Sequence, residues 1–180
     1  MFGLKDSGFI ILKDHTIDDQ QVKQAYDLIH RFFHLSEEQK CQYFLENAGG
    51  QRGYTPFKRE IAKGAKHPDL KEFWHVGREL SKESVYHELY GDNTWPEEIP
   101  EFKNVLSSLF KSLDDTAAIL LKAIGIGLGT SEDFFKDLTK DGNSILRTIH
   151  YPETKGQDVV NSVRAGAHED INLITLLVGA

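Results

Sequence analysis

Arg164-Ala165-Gly166-Ala167-His168-Glu169-Asp170 stands near the end of the chain, between Ser162–His168 and Asn172–Val178, two apolar segments that predict strands. In an extended backbone, side chains two apart project from the same face. His168 and Asp170 are therefore expected side by side, with Glu169 turned away. An imidazole nitrogen and a carboxylate oxygen on one face are two donors of the 2-His-1-carboxylate set. That set holds iron(II) on one face of an octahedron and leaves the other face for reactants. No thiolate competes, because Cys41 is the only cysteine; it also excludes an intramolecular disulfide. Taken alone, His-x-Asp is equally the pattern of a strand-end histidine and a turn aspartate in ordinary hydrogen bonds. Its surroundings decide.

Outward from this corner, Ile145–Tyr151 predicts another strand, with Ile149 and Tyr151 on one face and His150 on the other. Helices precede the strands. Phe102, Val105, Leu106, Leu109, Leu113, Ala117, Leu120, Leu121 and Ile124 form a helical stripe from about Glu101 to Gly125, long enough to span roughly 35–40 Å. Gly125, Gly127 and Gly129 read as its C-terminus rather than a phosphate loop, since no strand precedes them and no Lys-Ser/Thr follows. Thr130 and Asp133 open a short helix through Leu138. Earlier, Thr16 and Asp19 form a capping pattern before the stripe Val22, Tyr26, Ile29 and Phe33. Ser36-Glu37-Glu38-Gln39 repeats the pattern before a short helix over Lys40–Phe44. Gly8–Leu12 predicts a buried strand, Asp69–Leu80 an extended segment, and the glycine-interrupted Glu46–Lys66 a long loop. Helices first and strands last give an α+β class, helices packed on an antiparallel sheet rather than a doubly wound fold.

The 180 residues suit one domain, and 39% hydrophobic with 27% charged residues argues against disorder. A net charge of -7 lacks the footprint that nucleic acid demands. No apolar run approaches the ~20 residues of a membrane helix, and no basic region followed by an apolar stretch opens the chain. A cytoplasmic protein without nucleic-acid or membrane partners is expected. Arg52, Lys58 and Arg59 in the long loop suit either an anionic substrate or a solvated surface.

Six segments, in order, resemble the isopenicillin N synthase-like iron(II)/2-oxoglutarate-dependent dioxygenases. They are Gly8-Phe9 with His15; Gly53-Tyr54 with Glu60; Asp69-Leu70-Lys71-Glu72; Asn93-Thr94-Trp95-Pro96; Leu146-Arg147 with His150-Tyr151-Pro152; and Gly166-Ala167-His168-Glu169-Asp170 with Leu173, Thr175 and Leu176. The resemblance implies a double-stranded β-helix (jelly-roll) core, with residues 1–100 an N-terminal helical and substrate-loop region. Residues 101–180 would then be the backing helix and the first part of the core. It implies iron(II) held by His168 and Asp170, and Tyr151 near 2-oxoglutarate, although Ile149 stands where many relatives carry asparagine. It further implies oxidation of a small organic substrate by O2, with release of succinate and CO2. The family's third ligand, a second histidine, and the Arg-x-Ser that binds 2-oxoglutarate come after the equivalent of Ala180. The chain is thus expected to be a fragment, cut at both ends and inactive alone. The alternatives are a non-catalytic jelly-roll module completed by a partner, and a zinc-binding or metal-free jelly roll.

Overall fold

The computed structural model describes residues 2–46, 49–61, 67–154 and 162–178. In chain order its elements are α1 (Phe2–Asp6), α2 (Asp19–Phe33), α3 (Glu37–Cys41), β1 (Gly53–Thr55), β2 (Glu72–Gly77), α4 (His87–Tyr90), α5 (Phe102–Gly127), α6 (Phe134–Thr139) and β3 (Ile145–His150). The strands form one antiparallel sheet in the order β1-β2-β3. Helices on a small antiparallel sheet are an α+β arrangement.

Side-chain capping sets two of the helix starts. Asp18, rather than Thr16, accepts the Gln20 N–H at 2.9 Å and opens α2. Ser36 and Gln39 complete a reciprocal capping box at α3, satisfying two otherwise orphaned N–H groups. Cys41 is exposed at the end of α3. The apolar stripe of α5 buries Phe102, Leu106, Leu109 and Leu121. That of α2 buries Leu28, Phe32 and Phe33. Both helices pack against one another and share a core with Tyr54, Trp74 and Val76 of the sheet. At its centre Phe32 is fully enclosed, with ring centroids of Trp74 at 4.7 Å, Tyr54 at 5.7 Å and Phe102 at 5.8 Å.

Register places Glu72 opposite His150, Trp74 opposite Thr148 and Val76 opposite Leu146. Beyond β2, Asn93 closes the sheet as a substitute strand: it accepts the Gly77 N–H at 2.8 Å and donates to the Gly77 carbonyl at 2.9 Å. The same glycine lets a charged side chain through. A Cβ at Gly77 would overlap the guanidinium of Arg52. Arg52 is buried, donating to the Gln51 carbonyl at 2.8 Å and to Asn143 at 3.4 Å, so the solvated-loop reading fails for it.

Three predicted strands do not form among the described residues. Gly8–Leu12 is non-helical coil with Phe9 79% and Ile11 88% exposed. Described residues 162–178, which include both predicted strands flanking His168, also run without strand pairing. A strand exists through its ladder partner, not through its own apolar content, and no neighbouring strand lies alongside either segment among the described residues. No described helix is long and apolar enough to cross a membrane.

Candidate metal centre

The polypeptide around His168 is seated by hydrogen bonds rather than by a sheet. The Leu70 N–H donates to the Val163 carbonyl at 2.9 Å, and the Gly166 N–H donates to Asp69 Oδ1 at 3.2 Å. Near the end, the Tyr26 hydroxyl donates to the Val178 carbonyl at 2.9 Å.

Within this segment, His168 Nδ1 lies 2.8 Å from the Gly166 carbonyl. A carbonyl only accepts, so Nδ1 carries the proton and the Nε2 lone pair is left outward. Asp170 Oδ2 accepts the Thr175 hydroxyl at 2.7 Å, and the Asn172 amide in turn donates to that hydroxyl at 2.8 Å. The other carboxylate oxygen, Oδ1, lies 3.6 Å from His168 Nε2, and both side chains are 54% exposed. Two adjacent donors held at the ~2.1 Å typical of imidazole or carboxylate on a divalent metal lie about 3 Å apart. A sub-ångström closure brings the pair to that spacing. Each donor also has an outer partner fixing its orientation, the arrangement that tunes metal ligands. The donor chemistry therefore fits a divalent ion at two positions.

Among the described residues no group of three or more His, Cys, Asp or Glu side chains is poised for a metal. His150 Nδ1 lies 2.7 Å from Glu72, and its ring stacks on Phe33 at 5.0 Å. His30 and His34 pack against one another at 4.0 Å, with His34 the C-cap of α2. Tyr151 sits one residue past β3, 36% exposed.

Sequence reasoning missed a run of charges beneath this segment. Asp69 pairs with Lys71 at 2.9 Å, Lys71 with Glu60 at 2.6 Å, and Glu60 with Arg147 at 3.4 Å. Burial pulls the Lys71 ammonium down, yet the bonds to Glu60 and Asp69 outweigh it and its pKa is raised. Burial likewise pushes Glu60 up, and Lys71 with Arg147 more than reverse it. Arg147 also lies over the Phe73 ring at 4.6 Å and donates to His75 Nε2 at 2.7 Å. The only hint in the chain was the Asp-x-Lys-Glu segment itself, within the stretch expected to be extended.

His75 completes the run as a neutral ring. Its Nδ1–H donates to the Gly50 carbonyl, leaving Nε2 to accept from Arg147. Burial, followed by the Arg147 charge, lowers its pKa from 6.5 to about 4. Between those values the unfolded chain binds a proton that the folded chain refuses. The stability from this group is complete above about pH 6.5 and disappears as pH falls to about 4, a total on the order of 3 kcal/mol. Urea denaturation at steps across that window should show the decline, and His75→Gln should flatten it. An identical slope in the variant would contradict the buried neutral histidine.

Residues 3–98 match the family model described as the N-terminal region of the non-haem dioxygenase in morphine synthesis. The chain belongs to the non-haem dioxygenase family. It is 33% identical over 181 residues to a homoarginine-6-hydroxylase of Glycine max, an alignment covering 96% of this chain and 54% of that protein. A 2-oxoglutarate-Fe(II) type oxidoreductase of Emericella nidulans is 28% identical over 96% of this chain and 52% of its own length. Among solved structures, a 2OG-Fe(II) oxygenase family protein from Caulobacter crescentus superposes with a TM-score of 0.76 at 46% identity, covering 89% of this chain and 51% of that one. A full-length Neurospora crassa protein solved in complex with alpha-KG also gives a TM-score of 0.76, at 28% identity over 94% of this chain and 53% of its own. This dioxygenase chain thus spans about half the length of the curated relatives it matches.

Proposed function

We propose that the chain supplies the N-terminal helical region and the first two metal ligands of an iron(II), 2-oxoglutarate-dependent dioxygenase with a jelly-roll core. Residues 1–100 would form the helical and substrate-loop region, and residues 101–180 the backing helix and the first part of the core. The observation that carries this reading is the convergence of His168 Nε2 and Asp170 Oδ1 at 3.6 Å, in a chain of this family. Bound iron(II) would supply O2 activation coupled to decarboxylation of 2-oxoglutarate, oxidising a small organic substrate. His168 would contribute neutral nitrogen, its tautomer set by Gly166, and Asp170 would offset metal charge through the oxygen that Thr175 leaves free. Tyr151, one residue past β3 and expected from the sequence to share a face with Ile149, is the candidate contact for 2-oxoglutarate. With two protein ligands the isolated chain should hold metal weakly and lack turnover.

Anaerobic titration with iron(II), and with Mn(II) followed by electron paramagnetic resonance, tests the ligand assignment. The chain should take up one ion, and His168→Ala or Asp170→Ala should each weaken it at least 10–100-fold, no less than loss of an outer partner costs. Undiminished binding in both variants would remove the metal assignment. Adding 2-oxoglutarate to the iron(II) form of the protein that carries this chain should produce a visible charge-transfer absorption. Its absence at saturation would argue against the co-substrate.

A second reading, a binding module completed by another chain, is favoured by one observation. β3 is an edge of the sheet, and apolar side chains near it and in the last segment are open: Ile149 40%, Leu173 55% and Leu177 83% exposed. A dependence of sedimentation coefficient on concentration, without metal uptake, would support it.

A further inference from the structure

Among the described residues, the segment bearing His168 and Asp170 has no strand partner, so other groups hold its backbone. Consecutive residues just before β2 do so. Leu70 N–H bonds the Val163 carbonyl at 2.9 Å, and Asp69 Oδ1 accepts the Gly166 N–H at 3.2 Å. Gly166 is then tied on its other side, since its carbonyl accepts His168 Nδ1–H at 2.8 Å. The second Asp69 oxygen binds Lys71 at 2.9 Å, with the two side chains 3% and 5% exposed. The Asp69 N–H is held as well, donating to the Glu60 carbonyl at 3.0 Å. A buried ion pair of this kind is poor evidence for stability, because packed apolar residues would serve as well. Its distinguishing feature is the oxygen left over, aimed at the metal-bearing segment.

We infer that Asp69 is a positioning residue for the metal pair: it anchors Gly166, and through Gly166 fixes the ring of His168 beside Asp170. The inference rests on the ligand assignment proposed above. Lys71 holds the Asp69 carboxylate in place, and Glu60 holds Lys71, so the latch reaches β3 through Arg147.

The test compares Asp69→Ala, Asp69→Asn and Lys71→Met with His168→Ala in the 180-residue chain, reading Mn(II) affinity and amide exchange at Gly166. Asparagine keeps a carbonyl oxygen for the Gly166 N–H, whereas alanine keeps nothing. Lys71→Met breaks the same ion pair but leaves the acceptor. Asp69→Ala should speed exchange at Gly166 about tenfold or more and weaken Mn(II) about 10–100-fold, as loss of an outer partner does. Asp69→Asn should restore most of both, and Lys71→Met, which keeps the acceptor but frees the carboxylate that Lys71 holds, should fall between the parent and Asp69→Ala. If Asp69→Ala leaves Gly166 exchange and Mn(II) affinity within twofold of the parent while His168→Ala abolishes binding, the latch is refuted and the ligand pair stands. If Lys71→Met weakens Mn(II) as much as Asp69→Ala does, the effect is general destabilisation and the latch is again refuted. If His168→Ala binds Mn(II) as well as the parent, the ligand assignment fails and takes the latch with it.

Discussion

Glu72→Ala should cost the chain about 3–5 kcal/mol of folding stability, the range for removing one partner of a buried ionic network. Glu72 is buried at the start of β2, and three groups converge on its carboxylate. Lys40 of α3 donates at 2.7 Å, His150 of β3 lies at 2.7 Å, and the Tyr54 hydroxyl of β1 donates as well. Burial pushes the Glu72 carboxyl up, but Lys40, Tyr54 and His150 together hold it below its ordinary value. Tyr54 is driven the other way, upward, by burial and by the adjacent carboxylate. Alanine would leave the Lys40 ammonium, with 10% of its side chain exposed, facing apolar surroundings with no counter-charge. The double variant Glu72→Leu/Lys40→Met should recover most of the loss, because apolar packing of similar volume replaces such pairs at little cost. Denaturant midpoints for the two single variants and the double separate the outcomes. A double variant no better than Glu72→Ala would mean that the carboxylate acts through Tyr54 and His150 rather than through Lys40.

Phe32→Ala should also cost about 3–5 kcal/mol, in the range for emptying a fully enclosed aromatic site. The ring is 0% exposed and meets Phe33, Tyr43, Tyr54, Trp74 and Phe102. Those partners come from α2, β1, β2, α5 and the turn after α3, so no single element can slide to fill the void. Phe32→Leu, which keeps most of the volume, should cost markedly less. Equal losses for alanine and leucine would show that edge-to-face ring contacts, rather than the cavity, carry the energy.

The longer helices and the cap of α3 were legible in the amino-acid order because their signals are local, whereas α1 and α4, of five and four residues, were not anticipated. The stripe that ends near Gly125 needs only three- and four-residue spacing, and α5 follows it to Gly127. The Ser36–Gln39 box likewise involves residues three apart. The sheet was legible in part. Ile145–Tyr151 and Asp69–Leu80 became β3 and β2, whereas Gly8–Leu12 and the segments flanking His168 found no partner among the described residues. β1 went unnoticed inside its glycine-broken loop. It is three residues long, and its place comes from β2, with Tyr54 opposite Trp74.

His168 and Asp170 were expected together through strand alternation. They lie near one another for a different reason, since a backbone carbonyl turns the ring and the Thr175 hydroxyl turns the carboxylate.

Charges mark the boundary between the two kinds of information. Arg52 suited a solvated loop in the chain, and nothing local marked Asp69, Lys71 or Glu72 for burial, yet each is at most 4% exposed. What makes them tolerable inside are their partners: Asn143 for Arg52, Lys40 with His150 for Glu72, and for Asp69 and Lys71 one another together with Gly166 and Glu60. The identity of donors, the helical stripes and the caps follow from residues within a turn or two of one another. The pairing of strands depends on residues 18 or more positions apart, Thr55 opposite Phe73 being the nearest pair, and most of the buried charges also find partners well beyond a helical turn. Burying a charge is tolerated only where a partner meets it inside, and packing decides whether that partner is enclosed with it.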